Sequence, residues 1–264
     1  MASSLINGLC QSGHKPENIW VSDINANVLT TLNSSLNVNT LTDNIELLNN
    51  VDVVVLAVKP QVLKQVALTL ASALSQKPIL VISIAAGISQ ASLSHWLGES
   101  LAIVRCMPNT PALVLTGATA LHANSNVTAT QRDLAENIMR AVGIALWVEQ
   151  ETALDAVTAL SGSGPAYFFL MMEAMENTAL SFGLSHDIAR LLIQQTALGA
   201  AKIALESEES PEQLRFRVTS PGGTTEQAIA AFQQGGFNEL VSTALTAARN
   251  RAIELSKQME QSNG

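Results

Sequence analysis

Six consecutive apolar residues, Val53-Val54-Val55-Leu56-Ala57-Val58, leave no side of the chain for water. A largely β-branched run of that kind is the mark of a strand covered on both faces. Pro60 follows and stops it. Residues 61–75 then carry apolar side chains at 62, 63, 66, 67, 70 and 74, the spacing of one helix face. Pro78 introduces a second such run, Ile79-Leu80-Val81-Ile82-Ser83-Ile84. Ile19–Ser22, Leu101–Cys106, Gly117–Leu121 and Ile144–Val148 read as further strands. Ser89–Leu97 reads as a short helix. Another runs from Thr130, as its N-cap, to Val142, with Gly143 at the C′ position. Strands alternating with helices at this spacing predict a doubly wound parallel α/β sheet over residues 1–150.

The chain opens in a helix over residues 2–10, with Leu5, Ile6 and Leu9 on one face and Gly13 closing it. A crossover helix in such a sheet follows a strand. Either this is a helix added to the sheet, or the first strand and its turn are missing from the sequence. The second half differs. From Thr152 on there is no convincing strand, and Ala166–Phe182, Asp187–Leu205 and Phe237–Met259 read as helices. The first two are apolar round much of their circumference, so they need cover on most sides. A helical domain over residues 151–264 is predicted, with the boundary near 149–162.

Composition narrows the functional classes. The 264 residues are 47% apolar and only 14% charged, against a usual charged share of ~25%. Such a chain has apolar surface for a contact between subunits, so a homo-oligomer is expected. The net charge is −8 with no basic stripe, which argues against nucleic acid and acidic membrane surfaces as partners. No apolar run nears the ~18 residues of a membrane span. Cys10 and Cys106 make neither a disulfide framework nor a metal cluster, and the four histidines lack metal-ligand spacing. The N-terminus has no basic n-region, so cytoplasm is the expected compartment.

The densest motif is Val218-Thr219-Ser220-Pro221-Gly222-Gly223-Thr224-Thr225-Glu226. A proline turn and two glycines lead into a helix start, where unpaired amides form a nest for an anion. An ordinary capped turn has the same pattern. Lys59 and Pro60 directly follow a buried strand, and ligands of open α/β sheets bind at the carboxyl ends of strands; a solvated lysine would look alike. Met107-Pro108-Asn109-Thr110-Pro111 is a stiff polar loop in the same kind of place. Asp23 ends the Ile19–Ser22 strand, where an acid binds the adenosine ribose in a dinucleotide fold. Ser161-Gly162-Ser163-Gly164 lacks the strand that a nucleophile elbow requires.

Taken in order, Ala57-Val58-Lys59-Pro60, Arg105-Cys106-Met107-Pro108-Asn109-Thr110-Pro111, Leu160-Ser161-Gly162-Ser163-Gly164-Pro165-Ala166-Tyr167 and Thr219-Ser220-Pro221-Gly222-Gly223-Thr224-Thr225 resemble the pyrroline-5-carboxylate reductase family over nearly the whole chain. The resemblance implies a Rossmann-like dinucleotide-binding domain followed by a helical substrate-binding and dimerisation domain. It implies hydride transfer from NADPH or NADH to the C=N bond of 1-pyrroline-5-carboxylate, giving L-proline. The substrate would lie against Val218, Ser220, Gly222, Gly223, Thr224 and Thr225, with its carboxylate on the amides of Gly222, Gly223 and Thr224. The Thr225 hydroxyl would meet the ring nitrogen, and Glu208 would keep that surrounding negative. The cofactor would contact Met1, Ser22, Asp23, Asn44, Ala57, Val58, Lys59 and Pro60, with Met107, Asn109 and Thr110 beside the nicotinamide. Met1 matches the end of the family's glycine-rich loop, which places the expected strand and glycines upstream. The Asp23 carboxylate would repel a 2′-phosphate, which implies tolerance of or preference for NADH. A homodimer or a ring of dimers is expected. The rival readings are a reductase of the 3-hydroxyacid dehydrogenase type, for which Lys202 lacks the matching glycine motif, and a non-catalytic ligand-binding relative.

Overall fold

The computed structural model describes residues 1–263. They form two compact units: Met1–Ser163 with the chain from Ala248 on, and Gly164–Ala247. The first unit contains Ala2–Gln11 (α1), Trp20–Ser22 (β1), Ala26–Leu36 (α2), Asn39–Leu41 (β2), Asn44–Leu48 (α3), Val53–Leu56 (β3), Pro60–Leu74 (α4), Leu80–Ser83 (β4), Gln90–Leu97 (α5), Ala102–Met107 (β5), Gly117–Ala123 (β6), Ala129–Arg140 (α6), Gly143–Trp147 (β7) and Ala153–Val157 (α7).

The apolar runs do what their lack of a polar side requires. Strands β3, β4 and β5 alternate between two cores. Val54, Leu56, Val81 and Ile103 meet Leu63, Ala67, Leu70 and Leu74 of α4 and Leu93, Trp96 and Leu97 of α5. Leu80, Ile82, Val104 and Cys106 meet Leu5 of α1 and Ala135, Ile138 and Met139 of α6. Helices therefore cover both faces of a five-stranded sheet in the order β3-β4-β5-β6-β7. Strands β1 and β2 pair in parallel as a separate two-stranded sheet. Ile6 of α1 joins Leu32 and Val38 in a third, smaller core beside them. One helix thus serves both sheets, Leu5 on one and Ile6 on the other.

Four details differ from expectation. Strand β6 runs antiparallel to β5, while the other pairings are parallel. Residues 108–116 hold only a 3₁₀ turn, Thr110–Val114, and a parallel crossover needs about a dozen residues or more. Strand β3 ends at Leu56, so Ala57 and Val58 lie in the turn that follows. Helix α6 is capped by Thr128 rather than Thr130, because Thr128 and Gln131 form a reciprocal capping box. Gly143 opens β7 instead of closing α6, whose C-cap is Ala141.

The second unit contains Gly164–Ser181 (α8), His186–Glu206 (α9), Pro211–Arg217 (α10), Thr224–Gln234 (α11) and the start of Phe237–Asn263 (α12). Among its described residues only Gly164 and Ala189 are buried. Phe168, Phe169, Leu170, Leu191 and Leu192 are exposed, and Phe182 and Leu205 are 80% and 82% exposed. The apolar circumference predicted for α8 and α9 is therefore bare in a single chain. Among the described residues no helix is long and apolar enough to cross a membrane.

Candidate active site

Three loops lie at the carboxyl ends of the adjacent parallel strands β3, β4 and β5, where ligands of such sheets bind. Lys59 N-caps α4 through extended backbone, with Pro60 at the first helical position, so the lysine side chain stands exposed at the end of β3. Ala85-Ala86-Gly87 follows β4, and Gly87 has φ +76°. This loop was not singled out from sequence, although Ser83-Ile84-Ala85-Ala86-Gly87 directly after a buried strand is a usable signal. Met107 ends β5, and Pro108 and Asn109 are buried beside it while Thr110 is exposed.

At the end of β1, the Ser22 hydroxyl donates to Oδ1 of Asn44, the first residue of α3. Asp23 Oδ1 accepts from the Asn25 amide at 2.8 Å, and the carboxylate is otherwise exposed. Asp43 caps α3 by accepting from the amides of Ile45 and Glu46 at 2.7 and 3.2 Å. Residues 16–58 hold five carboxylates and no Lys, Arg or His. Met1 is the N-cap of α1 without a side-chain cap. Ser4, in the first turn of α1, is 6% exposed, and its hydroxyl lacks a hydrogen-bond partner. An orphaned buried hydroxyl beside uncapped helix amides suits an anionic group such as a nucleotide phosphate. These residues fit a dinucleotide.

Asn109 is 8% exposed and is held at both ends of its amide. Nδ2 donates to the Ser161 carbonyl at 3.1 Å, and Oδ1 accepts from the Ala118 amide at 2.9 Å. Ser161 belongs to a π-helical turn, Thr158–Gly162, closed by the Ser163 amide on the Thr158 carbonyl at 2.8 Å. Two residues before Met107, the Arg105 guanidinium donates to the Glu151 carboxylate, which also accepts from the Gln90 amide at 2.6 Å. Burial pushes the Asp155 carboxyl up from its ordinary range; Arg105 and Arg249 oppose that and Glu151 adds to it. Burial pushes the Cys106 thiol up as well.

In the second unit, Gly222 has φ +70° and Gly223 is the N-cap of α11. The turn is already partly occupied by the chain itself. The Gly222 amide donates to Glu226 Oε2 at 2.7 Å, and the Gly223 amide to the Ser220 carbonyl at 3.0 Å. Thr224 and Thr225 are the first residues of α11, where amides have no acceptor within the helix. Thr225 is half-buried, Val218 and Ser220 are exposed, and Glu208 is exposed in the loop after α9. Lys202 lies on α9, exposed and paired with Glu206 at 3.8 Å.

Helices on both faces of a mainly parallel sheet, polar loops at the carboxyl ends of its parallel strands and a separate helical unit are the layout of two-unit nicotinamide-dependent oxidoreductases. The profile described as pyrroline-5-carboxylate reductase dimerisation matches residues 151–255. The profile described as NADP oxidoreductase, coenzyme F420-dependent, matches residues 1–87. A pyrroline-5-carboxylate reductase of Pseudomonas aeruginosa is 51% identical over 261 residues, covering 99% of this chain and 95% of that protein. A solved pyrroline-5-carboxylate reductase from Coxiella burnetii is 49% identical, with a TM-score of 0.94 over 96% of this chain and 94% of that one. The Plasmodium falciparum pyrroline carboxylate reductase, solved with NADP bound, is 30% identical, with a TM-score of 0.84 over 96% of this chain and 94% of that one. The chain belongs to the pyrroline-5-carboxylate reductase family.

Proposed function

We propose that the chain reduces 1-pyrroline-5-carboxylate to L-proline with NADPH or NADH. The observation that carries this is the glycine turn at the head of α11, which presents first-turn amides beside a half-buried threonine hydroxyl. The substrate is a small zwitterion. Its carboxylate needs an anion site, and the helix start at Thr224 and Thr225 offers amides and the positive end of a helix dipole. The Gly222 amide joins that site once Glu226 swings away. The Thr225 hydroxyl then meets the ring nitrogen, and Glu208 keeps a negative charge near the protonated imine.

A reduced nicotinamide held by the chain would supply a hydride to the ring carbon of the protonated C=N bond, with the π electrons going to nitrogen. A protonated imine is already an electrophile, so no histidine is required. The protein's task is to hold two partners face to face. Ser22, Asp23 and Asn44 take the adenosine end, Ala57, Val58, Lys59 and Pro60 line the nucleotide, Met1 stands at the α1 terminus, and Met107 and Thr110 flank the nicotinamide. The bare apolar sides of α8 and α9 suit a second copy of the chain, as a dimer or a ring of dimers, in the cytoplasm.

The test is to mix the chain with NADH or NADPH and the imine, follow loss of the reduced-nicotinamide absorbance and identify L-proline. Substrate-dependent oxidation with proline formed supports the reading. A chain that binds the nucleotide and leaves the imine unreduced refutes it.

A further inference from the structure

Asn109 sits in the loop that the proposed function puts beside the nicotinamide, yet its side chain faces the protein on both sides. A carbonyl acceptor at Ser161 and an amide donor at Ala118 fix which end of the carboxamide is nitrogen and which is oxygen. The residue is 8% exposed, and each end of its carboxamide is already paired with the protein. The loop is gripped a second time alongside. A Cβ added to Gly162 would stand 2.5 Å from Cε of Met107, so the Met107 methyl group lies against Gly162 of the same π turn. The turn itself carries two side-chain bonds back along the chain, Thr158 Oγ1 to the Leu154 carbonyl at 2.7 Å and Ser161 Oγ to the Val157 carbonyl at 3.2 Å. π turns inside helical segments are rare, and many mark functional sites. Here the turn is one jaw of a clamp, the start of β6 is the other, and Asn109 is the pin.

We propose that Asn109 is a positioning residue of the reduction: it fixes Met107–Thr110 against the 158–162 turn and so sets the rate of hydride transfer without contacting the cofactor. The proposal rests on the reductase reading given above. Its physical content is proximity. A loop wall allowed to drift by a fraction of an ångström spoils the face-to-face approach while leaving nucleotide affinity in place.

Asn109→Asp separates the roles. One carboxylate oxygen still accepts from the Ala118 amide. The other replaces the donor and faces the Ser161 carbonyl, so two acceptors meet with no hydrogen between them and the turn is pushed off. The expected result has three parts. At saturating cofactor kcat falls at least about tenfold, in line with the cost of small misplacements. The Kd for NADH or NADPH, read by fluorescence titration, stays within about twofold of the wild type. Amide exchange of the 158–163 segment, read by mass spectrometry, speeds up at least about tenfold, because the Ser163–Thr158 bond opens more often. A larger primary isotope effect with 4-deuterated cofactor accompanies the fall in kcat.

A nucleotide Kd weakened tenfold with kcat retained overturns the proposal, since Asn109 would then be a cofactor ligand. Unchanged kcat and unchanged exchange overturn it equally. Should Asn109→Asp fail to fold, Asn109→Ser removes both bonds without adding charge, and the same split is expected of it. A wild-type chain that binds nucleotide and does not reduce the imine refutes the reductase reading itself; slow exchange at 158–163 that Asn109→Asp leaves slow refutes the clamp alone.

Discussion

Gly143→Ala tests the architecture that holds this clamp. Gly143 pairs with Gly117 across β6 and β7, and Ala118, the next residue of β6, supplies the amide that meets Asn109. Gly143 has φ +148°, and a Cβ there would stand 2.5 Å from Gly117 N and 2.6 Å from its carbonyl carbon, nearer still to its oxygen. These are backbone atoms, so relief requires the two strands to part. Overpacking of this kind costs about 1–3 kcal/mol, and a non-glycine residue in a left-handed conformation about 1–3 kcal/mol more. The sum, about 2–6 kcal/mol, is a large share of a usual stability of about 5–15 kcal/mol. At about 2–4 °C per kcal/mol for a protein of similar size, Tm should fall by roughly 4–24 °C. Gly98→Ala is the control. Its φ is +128° and a Cβ there meets nothing within 4 Å, so only the conformational cost applies. Thermal melts followed by circular dichroism, with urea titrations, compare the three proteins. If Gly143→Ala melts within about 2 °C of Gly98→Ala, the close approach of the two strands has no energetic consequence and the reasoning fails.

Other outcomes follow from the site. Thr225→Val keeps the shape and removes the hydroxyl, and a hydrogen bond to a charged group of about 1.5–3 kcal/mol predicts kcat/KM lower by about 10- to 100-fold; unchanged kinetics would remove Thr225 from the reaction. Asp23→Asn should raise kcat/KM for NADPH relative to NADH by at least about fivefold, the ~1 kcal/mol of two charges ~4 Å apart in water; an unchanged ratio would place the 2′-phosphate elsewhere. Glu226→Ala releases the Gly222 amide, so KM for the imine should fall about two- to fivefold while loss of the Gly222–Glu226 hydrogen bond costs ~0.5–1.5 kcal/mol of stability; a raised KM would mean that Glu226 assists binding. Asp155 holds its proton more tightly in the folded chain than in the unfolded one, because burial raises its carboxyl. Stability therefore declines as pH climbs from the ordinary carboxylate range through the raised value, and stays lower above it. Asp155→Asn should accordingly gain more in Tm at about pH 7 than at about pH 4; an equal difference at both would refute the assignment.

The sheet was legible because its strands are buried twice over. Leu80 and Ile82 point to one core and Val81 to the other, so each position had to be apolar and the run announced itself. Pro60, Thr224 and the glycines before Thr224 act locally, and local rules placed them. Strands β1 and β2 have no fully buried residue, which left Asn39–Leu41 without a hydrophobic signature. The reversal of β6 was readable only from the length of 108–116. Side-chain destinations were the least legible. Nothing in Pro108-Asn109-Thr110 tells that the asparagine turns inward to Ser161, more than fifty residues away in sequence, nor that Glu226 reaches back to fill an amide of the very turn it follows. Such partners are set by tertiary structure.

The bare helices of the second unit carry a consequence for how the protein persists when dilute. The α/β unit has three cores of its own, whereas the leucines and phenylalanines of the helical unit are exposed in a single chain, so association with another copy would stabilise those helices by mass action. Dilution should then loosen the helical unit before the α/β unit, and the amount of chain present becomes a determinant of whether each chain is whole.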